Sequence, residues 1–187
     1  KIEDELFELA EKSTDRELQN TYLDARGQAK ARRSDIEASF KRNFIELFNG
    51  KAKGESTEKR EESSLGDMEL SLVDESDLES SLAVKDLARR LKAMVENELG
   101  PLGQRVGLLM NREQLDADDN PVSPDTVARA LKEAIELMDV PPKVRIALMK
   151  LFEQLLAPEM KRMYGDLNAH LVRRHVLPQL RVGYRRP

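Results

Sequence analysis

Val84, Leu87, Ala88, Leu91, Met94, Val95 and Leu99 fall at i, i+3, i+4, i+7, i+10, i+11 and i+15. Only a helix of 3.6 residues per turn gathers those positions onto one face, so this stretch sets the class of fold. It is the end of a longer run, Met68 to Leu99, that opens with a short apolar alternation (Met68, Leu70, Leu72) and an acidic cluster (Asp74, Glu75, Asp77, Glu79). The hydroxyl of Ser76 or Ser80 is placed to cap the start, and Gly100-Pro101 reads as the stop. A helix of this kind, set between a charged segment and several shorter apolar patterns, is expected to be the spine of the chain.

The first part of the chain predicts a second long rod. Ile2, Leu6, Leu9 and Ala10, with Phe7 beside them, mark a short amphipathic helix, and Ser13-Thr14-Asp15 signals a fresh helix start. Beyond it Leu18, Tyr22, Ala25, Ala29, Arg33, Ile36, Phe40, Phe44 and Leu47 recur at steps of three or four. That predicts a helix of about 34 residues, roughly 50 Å long, with Gly27 as a weak point. Propensity alone does not hold so long a helix in water. Its ends are therefore expected to be covered and its waist, from Gln28 to Ser34, exposed. Phe40, Phe44, Ile45, Leu47 and Phe48 form the richest aromatic patch and are the candidate protein interface.

Residues 50–67, GKAKGESTEKREESSLGD, hold three glycines and almost nothing to bury, and are expected to be a flexible linker. After the spine, Leu102, Val106, Leu109 and Met110 mark a helix from Pro101 to about Glu113. Ser123-Pro124-Asp125 is a strong helix start, followed by Val127, Leu131, Ala134, Ile135 and Met138 as the stripe. Pro141-Pro142 ends that helix. Val144, Ala147, Leu148, Leu151, Phe152 and Leu155 carry the next one, and Pro158 kinks or restarts it before Met160, Met163, Tyr164, Leu167 and Leu171. Tight connections between such helices favour antiparallel neighbours, with Met149, Met160 and Met163 filling gaps in the core. The chain is thus expected to be all-α: a long-helix arm (1–49), a flexible linker (50–67), a helical bundle (68–178) and a basic tail (179–187).

Chemistry is sparse. The chain has no cysteine, which excludes disulfides, thiolate ligands and a cysteine nucleophile. His170 and His175 are five apart and share no face as an i, i+4 pair would; placement near a helix C-terminus accounts for them. Asp116, Asp118 and Asn120 have the alternate spacing of a calcium loop, but Pro121 replaces the glycine and Val127 the terminal glutamate. No nucleophile elbow, phosphate loop or dinucleotide fingerprint occurs. We expect no enzyme, no cofactor and no resident metal.

Charge is graded along the chain, from net −6 over residues 50–81 to net +5 over residues 158–187. Arg173, Arg174, Arg181, Arg185 and Arg186 are the candidate anion or phosphate contacts. Arg181 and Arg185 have an R-x-x-x-R spacing that some cyclic-dinucleotide receptors use, without the other half of that motif. No apolar run approaches a membrane span and no signal-peptide pattern opens the chain. Lys at position 1 points to a piece of a longer polypeptide, with the cytoplasm as the expected location.

Five stretches together resemble the amino-terminal part of a bacterial family known as domain of unknown function 1631. They are DELFELAEKS (Asp4–Ser13), ARGQAKARRSDIEASF (Ala25–Phe40), ELSLVDESDLESSLAVKDL (Glu69–Leu87), DNPVSPDTVARAL (Asp119–Leu131) and MYGDLNAHLVRRHVLPQL (Met163–Leu180). The resemblance implies a cytoplasmic bacterial protein and supplies no reaction, ligand or catalytic residue. The expected function is a non-catalytic interaction or regulatory module that self-associates, as a dimer. The alternatives are a cyclic-dinucleotide-responsive sensor and weak nucleic-acid binding through the basic tail.

Overall fold

The structure, a computed structural model, describes residues 1–54, 75–112 and 115–180. Among these residues it contains seven helices and no strand, so the chain is all-α. They are α1 (Ile2–Lys12), α2 (Arg16–Ala31), α3 (Arg33–Lys53), α4 (Glu75–Met94), α5 (Glu96–Leu109), α6 (Pro124–Ile135) and α7 (Pro142–Arg173). The apolar alternation at Met68–Leu72 and most of the expected linker lie outside the described residues, as do Arg181 to Pro187.

The expected 34-residue rod is two helices. Arg32 (φ −104°, ψ 16°) leaves the helical well between α2 and α3, although its N–H still donates to the Gln28 carbonyl and its carbonyl accepts from Ile36 N–H. The break has a long-range cause. The Gln28 side chain forms a two-way amide pair with the backbone of Asp139, 2.8 Å each way, and the Arg32 guanidinium donates to the Leu137 carbonyl. The waist is therefore tied to the turn between α6 and α7, with Ala25 and Ala29 buried beneath it and Arg32 to Ser34 exposed. Nor does Gly50 stop the rod. Helix α3 runs on through Lys53, into the expected linker, and Gly54 closes it in the left-handed region at φ 86°.

The spine also differs from its sequence reading. Val84, Leu87, Leu91, Val95 and Leu99 are buried as the stripe predicts, while Met94 is exposed. Ser80 lies inside α4 rather than capping it. A break at Val95 (φ −114°, ψ 13°) separates α4 from α5, and α5 runs straight through Gly100-Pro101. Pro101 removes one hydrogen bond to the Asn97 carbonyl, but Asn97 is exposed, so water can take that carbonyl. Burying Leu99 and Leu102 on the same side outweighs the loss. Pro158 is tolerated inside α7 for the same reason: it and Gln154 both lie on the exposed face.

Helix α4 lies between α6 and α7, α6 also packs on α3, and α5 packs on α7. Polar pairs fix the directions. Arg90–Glu153, Glu98–Lys161 and Arg105–Asn168 each join residues 63 positions apart, so α4 and α5 run parallel to α7. Lys51–Asp125 at one end of α3 and Arg32–Leu137 at the other set α3 antiparallel to α6. The tight connections after the spine led to an expectation of short antiparallel neighbours there; α7 is instead a 32-residue helix that runs parallel to α4 and α5.

The N-terminus of α6 is built as its sequence predicts, with Pro124 in the first turn and the Ser123 hydroxyl accepting from Thr126 N–H at 3.3 Å. Eight of its twelve residues are buried, Val127, Leu131, Ala134 and Ile135 of the predicted stripe among them, and Met138 is buried just beyond its end. Leu6, Ala25 and Ala29 from the arm join Val84, Leu91, Leu131, Val144 and Tyr164 in one apolar cluster. Met149 and Met160 fill that core, whereas Met163 is 40% exposed. No helix among the described residues is long and apolar enough to cross a membrane.

Candidate functional site

Helix α3 carries the aromatic patch expected to be an interface. Phe40, Phe44 and Phe48 are spaced i, i+4, i+8 and form a ladder, with ring centroids 6.1 Å apart for the first pair and 6.3 Å for the second. Phe40 and Phe44 pack against the core, whereas Phe48 and Ile45 are 36% and 49% exposed. Leu47 turns a third way, into a cleft of about 370 Å³ that it lines with Asn43, Ser81, Val84 and Arg129. The five residues therefore divide between core, cleft and surface, and the ladder leads from buried rings to an open apolar face.

What holds this face still was not visible in the sequence. Lys51, placed there in the linker, is 4% exposed. Its Nζ donates to the Asp118 carbonyl (2.6 Å), Ser123 Oγ (3.2 Å) and Asp125 Oδ2 (3.0 Å), so all three ammonium protons have acceptors. Arg129 also donates to Asp125, at 3.0 Å. Burial pushes the Asp125 carboxyl up, but the Lys51 ammonium and the Arg129 guanidinium outweigh it and hold the group below its usual range. The signal was periodicity: Phe40, Phe44, Leu47 and Lys51 continue one i, i+3/i+4 line, which composition alone disguised.

The acidic turn at Asp116–Asp119 is tied into this node. Asp118 gives its carbonyl to Lys51 and its carboxylate to Lys92 (3.1 Å), and the Asn120 side chain accepts from Val122 N–H (3.1 Å). Among the described residues no group of three or more histidine, aspartate or glutamate side chains could hold a metal.

Of the expected anion contacts, Arg173 and Arg174 are exposed at the end of α7, and Arg181, Arg185 and Arg186 lie outside the described residues. His170 is exposed in the last turn. His175, at φ 60°, donates its N–H to the Val172 carbonyl while Val176 N–H reaches Leu171, a paired closure of the helix end. Tyr164 is fully buried, its hydroxyl donating to the Val122 carbonyl, and burial pushes its phenol up.

Residues 1–175 match the family described as the N-terminal domain of a protein of unknown function (DUF1631). No curated protein and no solved structure matches the chain.

Proposed function

Because the chain belongs to the DUF1631 family through its N-terminal domain, whose members have no assigned function, we propose from its surface that it is a non-catalytic interaction module that self-associates. One observation carries this reading. An aromatic ladder on α3, stacked at Phe40–Phe44 and tilted at Phe44–Phe48, ends at exposed Phe48 beside exposed Ile45 on a helix pinned by a buried lysine. Single exposed apolar residues are ordinary, but a contiguous set on a rigid element resembles the anchors of interfaces, since little side-chain entropy is lost on docking. The occupant is a second copy of the same face, giving a dimer, within a bacterial cytoplasmic protein that performs no reaction through this domain.

Light scattering across concentration tests it. The weight-average mass should rise toward twice 21.3 kDa; a constant monomer mass at high concentration removes the proposal. Calorimetry with cyclic dinucleotides separates the sensor reading, which would require heat that disappears when Arg173, Arg174, Arg181 and Arg185 become alanine. Nucleic-acid binding by the tail would instead show affinity falling steeply with salt. We expect neither.

A further inference from the structure

A second feature of the fold lies away from the α3 face. On one side of α5, Gly100, Gly103 and Gly107 recur at helical spacing and line a groove of about 660 Å³. Leu115, Ala117 and Asn120 also line it. Nothing stands within 4 Å of where a side chain at Gly100 would begin. The groove is more apolar than polar, and its size falls within the range of small-ligand sites.

Asn120 gives the groove a direction. It is 1% exposed. Its Oδ1 is committed to Val122 N–H, which fixes the amide's orientation. Its Nδ2 has no hydrogen-bond partner among the described residues and lies 3.8 Å from the position a Cβ would take at Gly103. A buried amide donor without an acceptor is destabilising, so a ligand oxygen placed there would recover that free energy. Arg89 and Lys92 stand at the α4 end of the groove. Among the described residues Asp86 pairs with Arg89 and Asp118 with Lys92, both carboxylates exposed, and such surface pairs are weak enough to exchange. Among the described residues Glu96 is the sole acidic one on the lining, where positive charge and N–H donors predominate.

We propose that this groove binds a small amphiphile: an apolar body lying along the glycine face of α5, with a carboxylate-type oxygen accepting from Asn120 Nδ2. The missing side chains at Gly100 and Gly103 make the room, and the donor sets the chemistry of the head group.

Octanoate is the probe, followed by the side-chain amide resonances of Asn120 and the backbone amides of Gly100 and Gly103. These should shift together and saturate in the millimolar range. Gly103→Leu and Gly100→Leu, which fill the groove, should each weaken binding at least tenfold. Both should keep a melting temperature at or above that of the unaltered chain, because leucine is the better helix former. Asn120→Asp keeps the acceptor for Val122 but removes the donor, and should weaken binding by at least as much. Octylamine, with the same body and no acceptor, should not displace octanoate. No saturable shift, equal binding by a folded Gly103→Leu chain, or equal affinity for octylamine would each overturn the proposal.

Discussion

Lys51 and Asp125 form the pair on which the inner end of the α3 face depends. Replacing Lys51 with methionine keeps the length of the side chain and removes the charge. It leaves a largely covered carboxylate and the Ser123 hydroxyl short of a donor. Because Asp125 keeps Arg129 and some solvent, we expect a loss of about 2–3 kcal/mol, below that of a fully buried pair, read by urea denaturation. The same pair sets an acid limb. The folded carboxyl titrates below its ordinary value of 3.8, so its stabilisation is full above that value and is lost as pH falls through the lower folded one. Asp125→Asn should lower stability at neutral pH and flatten the decline below about pH 4. An unchanged acid limb would show that other carboxylates control it. At the far end of α7, His175 holds a left-handed conformation that glycine adopts without strain. His175→Gly should raise the melting temperature by about 2–4 °C, as expected for roughly 1 kcal/mol in a chain of this size.

At the scale of elements, most of the reading was available from spacing. The stripes of α1, α4, α6 and α7 are buried or half-buried as their periods predict, Met94 and Met163 excepted, and the Ser123-Pro124 start and Pro141-Pro142 break stand where the residue types place them. The helix ends were harder. Gly100-Pro101 and Gly50 resemble stops because local rules favour a stop there, yet both lie within helices whose next turns bury apolar or paired side chains. Conversely, the breaks at Arg32 and Val95 carry no glycine or proline. The first follows from partners more than a hundred residues away, Leu137 and Asp139, which no local pattern contains. Pro101→Ala tests the continuous α5 directly. Restoring the N–H to the Asn97 carbonyl should add about 1 kcal/mol. A helix that ended at Gly100 would gain nothing.

Across the whole molecule, the constant offset of 63 residues that sets α4 and α5 parallel to α7 had no counterpart in the linear pattern. Short loops suggest antiparallel neighbours, but α6 makes the return stroke and α7 then runs alongside the spine. The candidate interface was legible as composition, five large apolar residues in a row of nine, but not as geometry. Which of them face the core depends on α3 packing on α6, a contact made between residues far apart in sequence.

The proposed self-association places another copy over the outer α3 face. Sedimentation velocity on the unaltered chain and on Ile45→Asp/Phe48→Asp, at one concentration, is the most direct measurement. Both positions are open to solvent in the single chain, so the double change should leave helicity and melting temperature in place while a dimer boundary collapses to a monomer. The same sedimentation coefficient for both proteins would contradict it.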